Sequence, residues 1–139
     1  MMKKIGILIL VFMLGVSGFA QTKSGIEKNN YVVSTSKIPQ LEPIILTAEA
    51  LKQEDGHKFG DFQIVLYGRN VKELTDKEKM SNNIKKAKAA GVEIKVCKLS
   101  INFLKIDIKD LHPYVKVVDH AFTHLLQLQK IKNYYSIEL

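Results

Sequence analysis

The order of strand-like and helix-like segments predicts an α/β protein: a three-layer α/β/α arrangement around a mostly parallel sheet of about five strands. Three observations carry this. Short β-branched and aromatic runs alternate with segments whose apolar residues recur at helical spacing. The clearest strand, Phe62-Gln63-Ile64-Val65-Leu66-Tyr67, is nearly continuously apolar, as a strand covered on both faces is. Helix-like segments separate successive strands, which is what parallel pairing with crossovers requires.

Taken in order, Tyr31-Val32-Val33-Ser34-Thr35 reads as the first strand by its β-branched and aromatic content. Pro39 and Pro43 follow, and proline is tolerated in a first helical turn, where its missing N–H would have no partner. Leu41, Ile44, Ile45, Ala48 and Leu51 recur at helical spacing and predict a helix over 40–54, ending before Asp55-Gly56. After the strand at 62–67, closed by Gly68, Thr75 or Asp76 can cap a second helix with Met80, Ile84 and Ala87 on one face. Gly91 suits the left-handed residue after that helix. In Val92-Glu93-Ile94-Lys95-Val96-Cys97, apolar and other side chains alternate, predicting a third strand. A short helical or irregular turn over 99–104 and a connector through Pro113 lead to a fourth strand at Val115 to Val118. Asp119 is the expected N-cap of a helix over 120–131 with Ala121, Leu125 and Leu128 inward, and NYYSIEL closes with a fifth strand.

The first twenty residues have a different character. Lys3 and Lys4 precede an uncharged run from Ile5 to Ala20, and Gly18-Phe19-Ala20 supplies small residues before a cut ahead of Gln21. That is the layout of a secretory signal peptide, and the run is short for a membrane span of roughly 20 residues. The expectation is a signal peptide at 1–20, a flexible lead at 21–30 and a single domain over 31–139. The protein would be periplasmic or secreted, with no stable membrane anchor after cleavage. The net charge of +7 includes Lys3 and Lys4. The remaining lysines are dispersed among acids without an arginine cluster interleaved with aromatics, which argues against nucleic acid.

One cysteine, Cys97, stands in the whole chain. It cannot close an internal disulfide, and an unpaired exposed thiol is a liability outside the cell. In open parallel sheets ligands gather at the carboxyl ends of the strands. Those ends are Ser34-Thr35-Ser36, Gly68-Arg69-Asn70, Cys97-Lys98 and Asp119-His120. Two readings of Cys97 stay open: a small buried hydrophobe, or a reactive thiol tuned by Lys98, Lys95, a helix start near Leu99 or His120. His120 and His124 lie one helical turn apart and could share a metal or haem, but no third ligand accompanies them, so no metal site is expected. Gly68-Arg69-Asn70 lacks the pattern of a phosphate loop, Asp107 and Asp110 suit capping, His112-Pro113 suits a turn, and no cofactor motif is present.

Two stretches, FQIVLYGRNVKELT and then AAGVEIKVCKLSINFLKIDIKDLHPYVKVVDHAFTHLLQLQKIKNYYSIEL, resemble the DsrE/DsrF-like family. The shared marks are a strand ending in Gly68, Gly91-Val92 opening a strand that closes on Val96-Cys97, then Asp110-Leu111, the Val115-to-Val118 strand, and Leu128-Gln129 before a Tyr-containing last strand. The match covers about 62–139. The resemblance implies a homo- or hetero-oligomer, with Phe122, Leu126 and Tyr134-Tyr135 as candidate interface residues. It also implies that Cys97 carries sulfane sulfur as a persulfide between sulfur-donor and sulfur-acceptor proteins, with Lys98, Arg69 and His120 in support. The rival expectation is a non-catalytic binding or assembly module in which Cys97 is inert.

Overall fold

The computed structural model describes residues 25–139, so the expected signal peptide and the first residues of the lead lie outside the described residues. Five strands form one sheet in the order β4-β3-β2-β1-β5: β1 (Asn29–Thr35), β2 (Phe59–Leu66), β3 (Val92–Cys97), β4 (Val115–Val118) and β5 (Tyr135–Glu138). Every pairing is parallel. The helices are α1 (Leu41–Asp55), α2 (Lys77–Ala90), α3 (Lys98–Phe103) and α4 (Ala121–Lys132). The expected α/β architecture is therefore present, with helices on both sides of the sheet. No helix among the described residues is long and apolar enough to cross a membrane.

The strand order explains the layering. The chain steps from β1 through β4 in one direction along the sheet. Right-handed crossovers taken in one direction put their helices on one face. From β4 the chain returns across the whole sheet to pair β5 beside β1, and that reversed step carries α4 on the opposite face. The α1/α2 face buries Val33, Phe62, Ile64, Leu66, Val92, Ile94 and Val96 against Ile45, Ala48, Met80 and Ile84. The α4 face buries a smaller set: Val32, Val65, Cys97, Ala121, Leu125, Leu128 and Tyr134.

Several boundaries differ from the sequence reading for local reasons. β1 begins at Asn29 and β2 at Phe59, because Asn29 and Phe59 pair across the ladder before the apolar runs start. A 3₁₀ turn over Arg69–Thr75, not anticipated in the sequence, buries Val71 and Leu74. The three-residue spacing of those two is the 3₁₀ repeat. Asp76 caps α2 by accepting the Lys79 N–H at 3.0 Å, and Gly91 ends it at φ +73°. Asp119 does not cap α4. His120 has the extended backbone of a cap residue, and its Nδ1 accepts the Thr123 N–H.

Candidate functional site

Cys97 ends β3 at the carboxyl rim of the sheet, as its place in the sequence requires. The pleat puts it on the α4 face with Glu93 and Lys95, because side chains two apart on a strand share a face. Its register partner is Val118 of β4. The sulfur is turned inward beneath the first turn of α4: Cys97 is 5% exposed, and Sγ accepts the Ala121 N–H at 3.4 Å. Among the described residues it is a free thiol.

The three residues expected to support the thiol are otherwise engaged. Lys98 points outward, with Nζ 3.9 Å from Asp119 Oδ1. The Arg69 guanidinium lies over the Phe103 ring, 5.5 Å from its centroid. Only His120 stands in the structure that covers the sulfur, as the cap of the helix whose first residue, Ala121, donates to it. The backbone of Gly68 is tied to α3 through its N–H donating to Ser100 Oγ at 2.8 Å.

One strand over from Cys97, past its register partner Val118, lies a pocket of about 330 Å³, bounded by Val117 to His120 at the end of β4 and by Thr123, His124 and Gln127 of α4. α4 packs against β1 and β5 and reaches β2 through Val65 and Gln63, and Glu93, Lys95 and Lys116 share that sheet face. Those three residues pair their charges locally: Lys95 and Lys116 approach Glu93 Oε2 at 3.3 and 3.9 Å. Lys95 is nevertheless largely enclosed, its side chain 15% exposed.

A buried polar chain reaches this pocket from the far end of the sheet. Tyr134 OH and Gln63 Nε2 both donate to Asp61 Oδ2, the latter at 2.6 Å. Gln63 Oε1 in turn meets His124 Nε2 at 2.8 Å. Burial, then the hydrogen bond to Asp61, pushes the Tyr134 phenol well above its usual range, so it stays protonated, and its oxygen also accepts from Gln63 Nε2 at 3.4 Å. Burial, with the Lys95 ammonium next, pulls His124 below its usual range. Asp61 and Gln63 of β2 were missed in the sequence, and Tyr134 was expected at an interface, because their partners on α4 and before β5 are distant in the chain. The available signal was Asp61 and Gln63, two polar residues at period two in an otherwise apolar strand.

No group of three or more His, Cys, Asp or Glu side chains able to hold a metal occurs among the described residues. The histidine pair also faces a chemical obstacle. The His120 nitrogen that caps α4 is an acceptor, so its other nitrogen carries the proton and has no lone pair for a metal.

No protein-family model matches the chain, and no curated protein matches it. Solved structures do. A protein of unknown function, MTH1491 from Methanobacterium thermoautotrophicum, superposes with a TM-score of 0.65 at 17% identity, covering 81% of this chain and 99% of that one. A conserved protein of unknown function, BT1422 from Bacteroides thetaiotaomicron, gives 0.61 at 12% identity, covering 80% and 95%. The likeness is one of fold. At these identities it says nothing about which side chains are shared or what they do.

Proposed function

We propose that this chain is an exported sulfur carrier of the DsrE/DsrF-like kind, in which Cys97 accepts sulfane sulfur and holds it as a persulfide. The observation that supports this most is the placement of Sγ: at the carboxyl end of a central-sheet strand, under the first turn of a twelve-residue helix, with a backbone N–H directed at it. A helix N-terminus complements negative charge, and the Cys97 thiolate that takes up sulfur and is left after transfer bears that charge on Sγ. Transfer is thiol exchange. The Cys97 thiolate attacks the outer sulfur of a donor persulfide, the donor thiolate leaves, and an acceptor thiolate later removes that sulfur in the same way. One cysteine suffices, since no internal resolving thiol takes part. With Sγ this enclosed, loading from a protein donor requires the first turn of α4 to lift. His120 is the residue whose side chain holds that turn closed.

Exposure of the purified protein to polysulfide, followed by intact-mass measurement, tests the proposal. The expected result is one added sulfur on the wild type and none on Cys97→Ser. No addition, or equal addition to both, removes the carrier reading.

The burial of Cys97 favours a second reading, a non-catalytic assembly module with an inert thiol. Under either reading we expect self-association. Phe122 and Leu126 stand exposed on α4, and Tyr135 and Ile137 on the edge strand β5, whereas Tyr134 is buried and serves the core. Sedimentation at micromolar concentration is expected to show a homo-oligomer that Leu126→Asp disrupts. A wild type that sediments only as a monomer contradicts it.

A further inference from the structure

We propose that the pocket between α4 and the end of β4 seats a small organic thiol, and that His124 Nδ1 takes its proton. The inference rests on the carrier reading of Cys97 and supplies its second reactant: a low-molecular-weight thiol as the sulfur acceptor.

The hydrogen bonds fix which nitrogen is available. The amide nitrogen of Gln63 faces the Asp61 carboxylate at 2.6 Å, and a carboxylate only accepts. The amide oxygen is therefore the atom 2.8 Å from His124 Nε2, and an amide oxygen also only accepts. The proton of His124 sits on Nε2, and Nδ1 keeps its lone pair. No hydrogen bond among the described residues occupies Nδ1, and His124 is one of the residues lining the pocket. His120 is the same tautomer with the opposite nitrogen engaged. Its Nδ1 accepts from Thr123 at 3.3 Å, which leaves Nε2–H free. One helical turn apart, the two histidines line the same pocket, one with a free acceptor nitrogen and the other with a free N–H.

The groups around His124 keep it a neutral acceptor. Lys95 and Lys132 oppose its protonation, Glu93 and Asp61 favour it, and burial outweighs each of them. The pocket adjoins the sulfur through backbone neighbours. Val118, part of its wall, is the register partner of Cys97, and Ala121, which donates to Sγ, follows His120. A volume of about 330 Å³ admits a thiol of a few carbons.

The step balances without an oxidant. The thiol R–SH gives its proton to His124 Nδ1. The resulting R–S⁻ attacks the outer sulfur of Cys97–S–SH, and a new sulfur–sulfur bond forms as the bond to Sγ breaks. The electron pair goes to Sγ, where the Ala121 N–H receives it. The products are R–S–SH and the Cys97 thiolate, and protonated His124 returns its proton to solvent.

Two arms test this. In Cys97→Ser, which cannot carry sulfur, mercaptoethanol is titrated while imidazole nitrogens are followed by NMR. The expected result is an Nε2–H tautomer for His124 and a saturable shift of its Nδ1 resonance, with exposed His57 unmoved. An Nδ1–H tautomer, or no shift, overturns the proposal. If Cys97→Ser does not fold, the same titration of the reduced wild type gives the same decision.

In the kinetic arm, His124→Gln is expected to slow sulfur transfer from persulfidated protein to mercaptoethanol by roughly a hundredfold, the low end of general-base contributions. Transfer to trifluoroethanethiol, a far more acidic thiol needing little help to ionise, is expected to stay nearly unchanged. Equal slowing with both thiols assigns His124 a structural role and overturns the proposal. A wild type that never takes up sulfur sinks the carrier reading, and the binding arm still decides the pocket.

Discussion

The two faces of the sheet are built to different standards. The α1/α2 face is apolar across its centre, where its strand residues from Phe62 to Val96 are fully buried, and its polar groups, Thr35 and the Tyr31 hydroxyl, sit in β1 with hydrogen-bond partners. The α4 face mixes a small apolar cluster with a thiol, a buried glutamine, a hydroxyl and a tyrosine, and its helix covers only part of the strands. Each polar group placed under a helix must find a partner or cost free energy. A chain that needed only stability would have filled both faces alike. The α4 face instead links Tyr134, Asp61, Gln63 and His124 in a directed chain that ends at a pocket next to the end of β4, and leaves the Ser34 hydroxyl unpaired among the described residues. One face holds the fold together, and the other is where chemistry is affordable to the structure.

That contrast makes graded predictions. Truncation on the apolar face carries the largest cost: Phe62→Ala is expected to lose about 4 kcal/mol of unfolding free energy, read by denaturant melts. Leu125→Ala on the α4 face is expected to lose about 2 kcal/mol, because a shallow cluster next to a pocket relaxes more easily. Equal losses would break the comparison. Next, Asp61→Ala leaves the Gln63 amide and the Tyr134 hydroxyl without their shared acceptor, for about 2 kcal/mol. Ser34 sharpens the contrast with the opposite sign. Its hydroxyl is buried under α4 with no hydrogen-bond partner among the described residues. Ser34→Ala is therefore expected to raise stability, by about 1 kcal/mol.

The smallest effects are in pH. His124 is held below its unfolded value, so the unfolded chain binds more protons as acidity rises. Its contribution is complete above the ordinary histidine range and is lost as pH falls through that range toward the lowered value; His124→Gln should flatten the acid limb. Tyr31 is displaced the other way. Burial, then its hydrogen bond to Asp55 at 2.6 Å, pushes it up to about 12. Its contribution is complete below pH 10, the ordinary tyrosine value, and disappears as pH rises to about 12. Tyr31→Phe should remove that alkaline loss, as measured by melts across the range.

The sequence made the apolar face easy to read and the working face hard. Continuous apolar runs such as Ile64-Val65-Leu66 fix a doubly covered strand whatever lies around it. The carboxyl-end location of Cys97 followed from β3 alone. Its depth did not, because that depends on α4 arriving from the far side of the sheet and laying its first turn over the sulfur. The cap moved from Asp119 to His120 for the same reason. Both side chains can accept a hydrogen bond, and only the backbone path out of β4 decides which one does, leaving the Asp119 side chain 97% exposed. The Asp61–Gln63–His124 chain was visible only as two polar residues in β2 without an evident purpose.

The account depends on Cys97 being reachable while the apolar face stays folded. The direct measurement is the rate of Cys97 alkylation as a function of sub-denaturing urea. Local lifting of the first turn of α4 exposes little surface, so the account predicts labelling that is nearly independent of urea and faster than global unfolding allows. Labelling that rises with urea along the slope of global unfolding would contradict it and leave Cys97 as an inert part of the core.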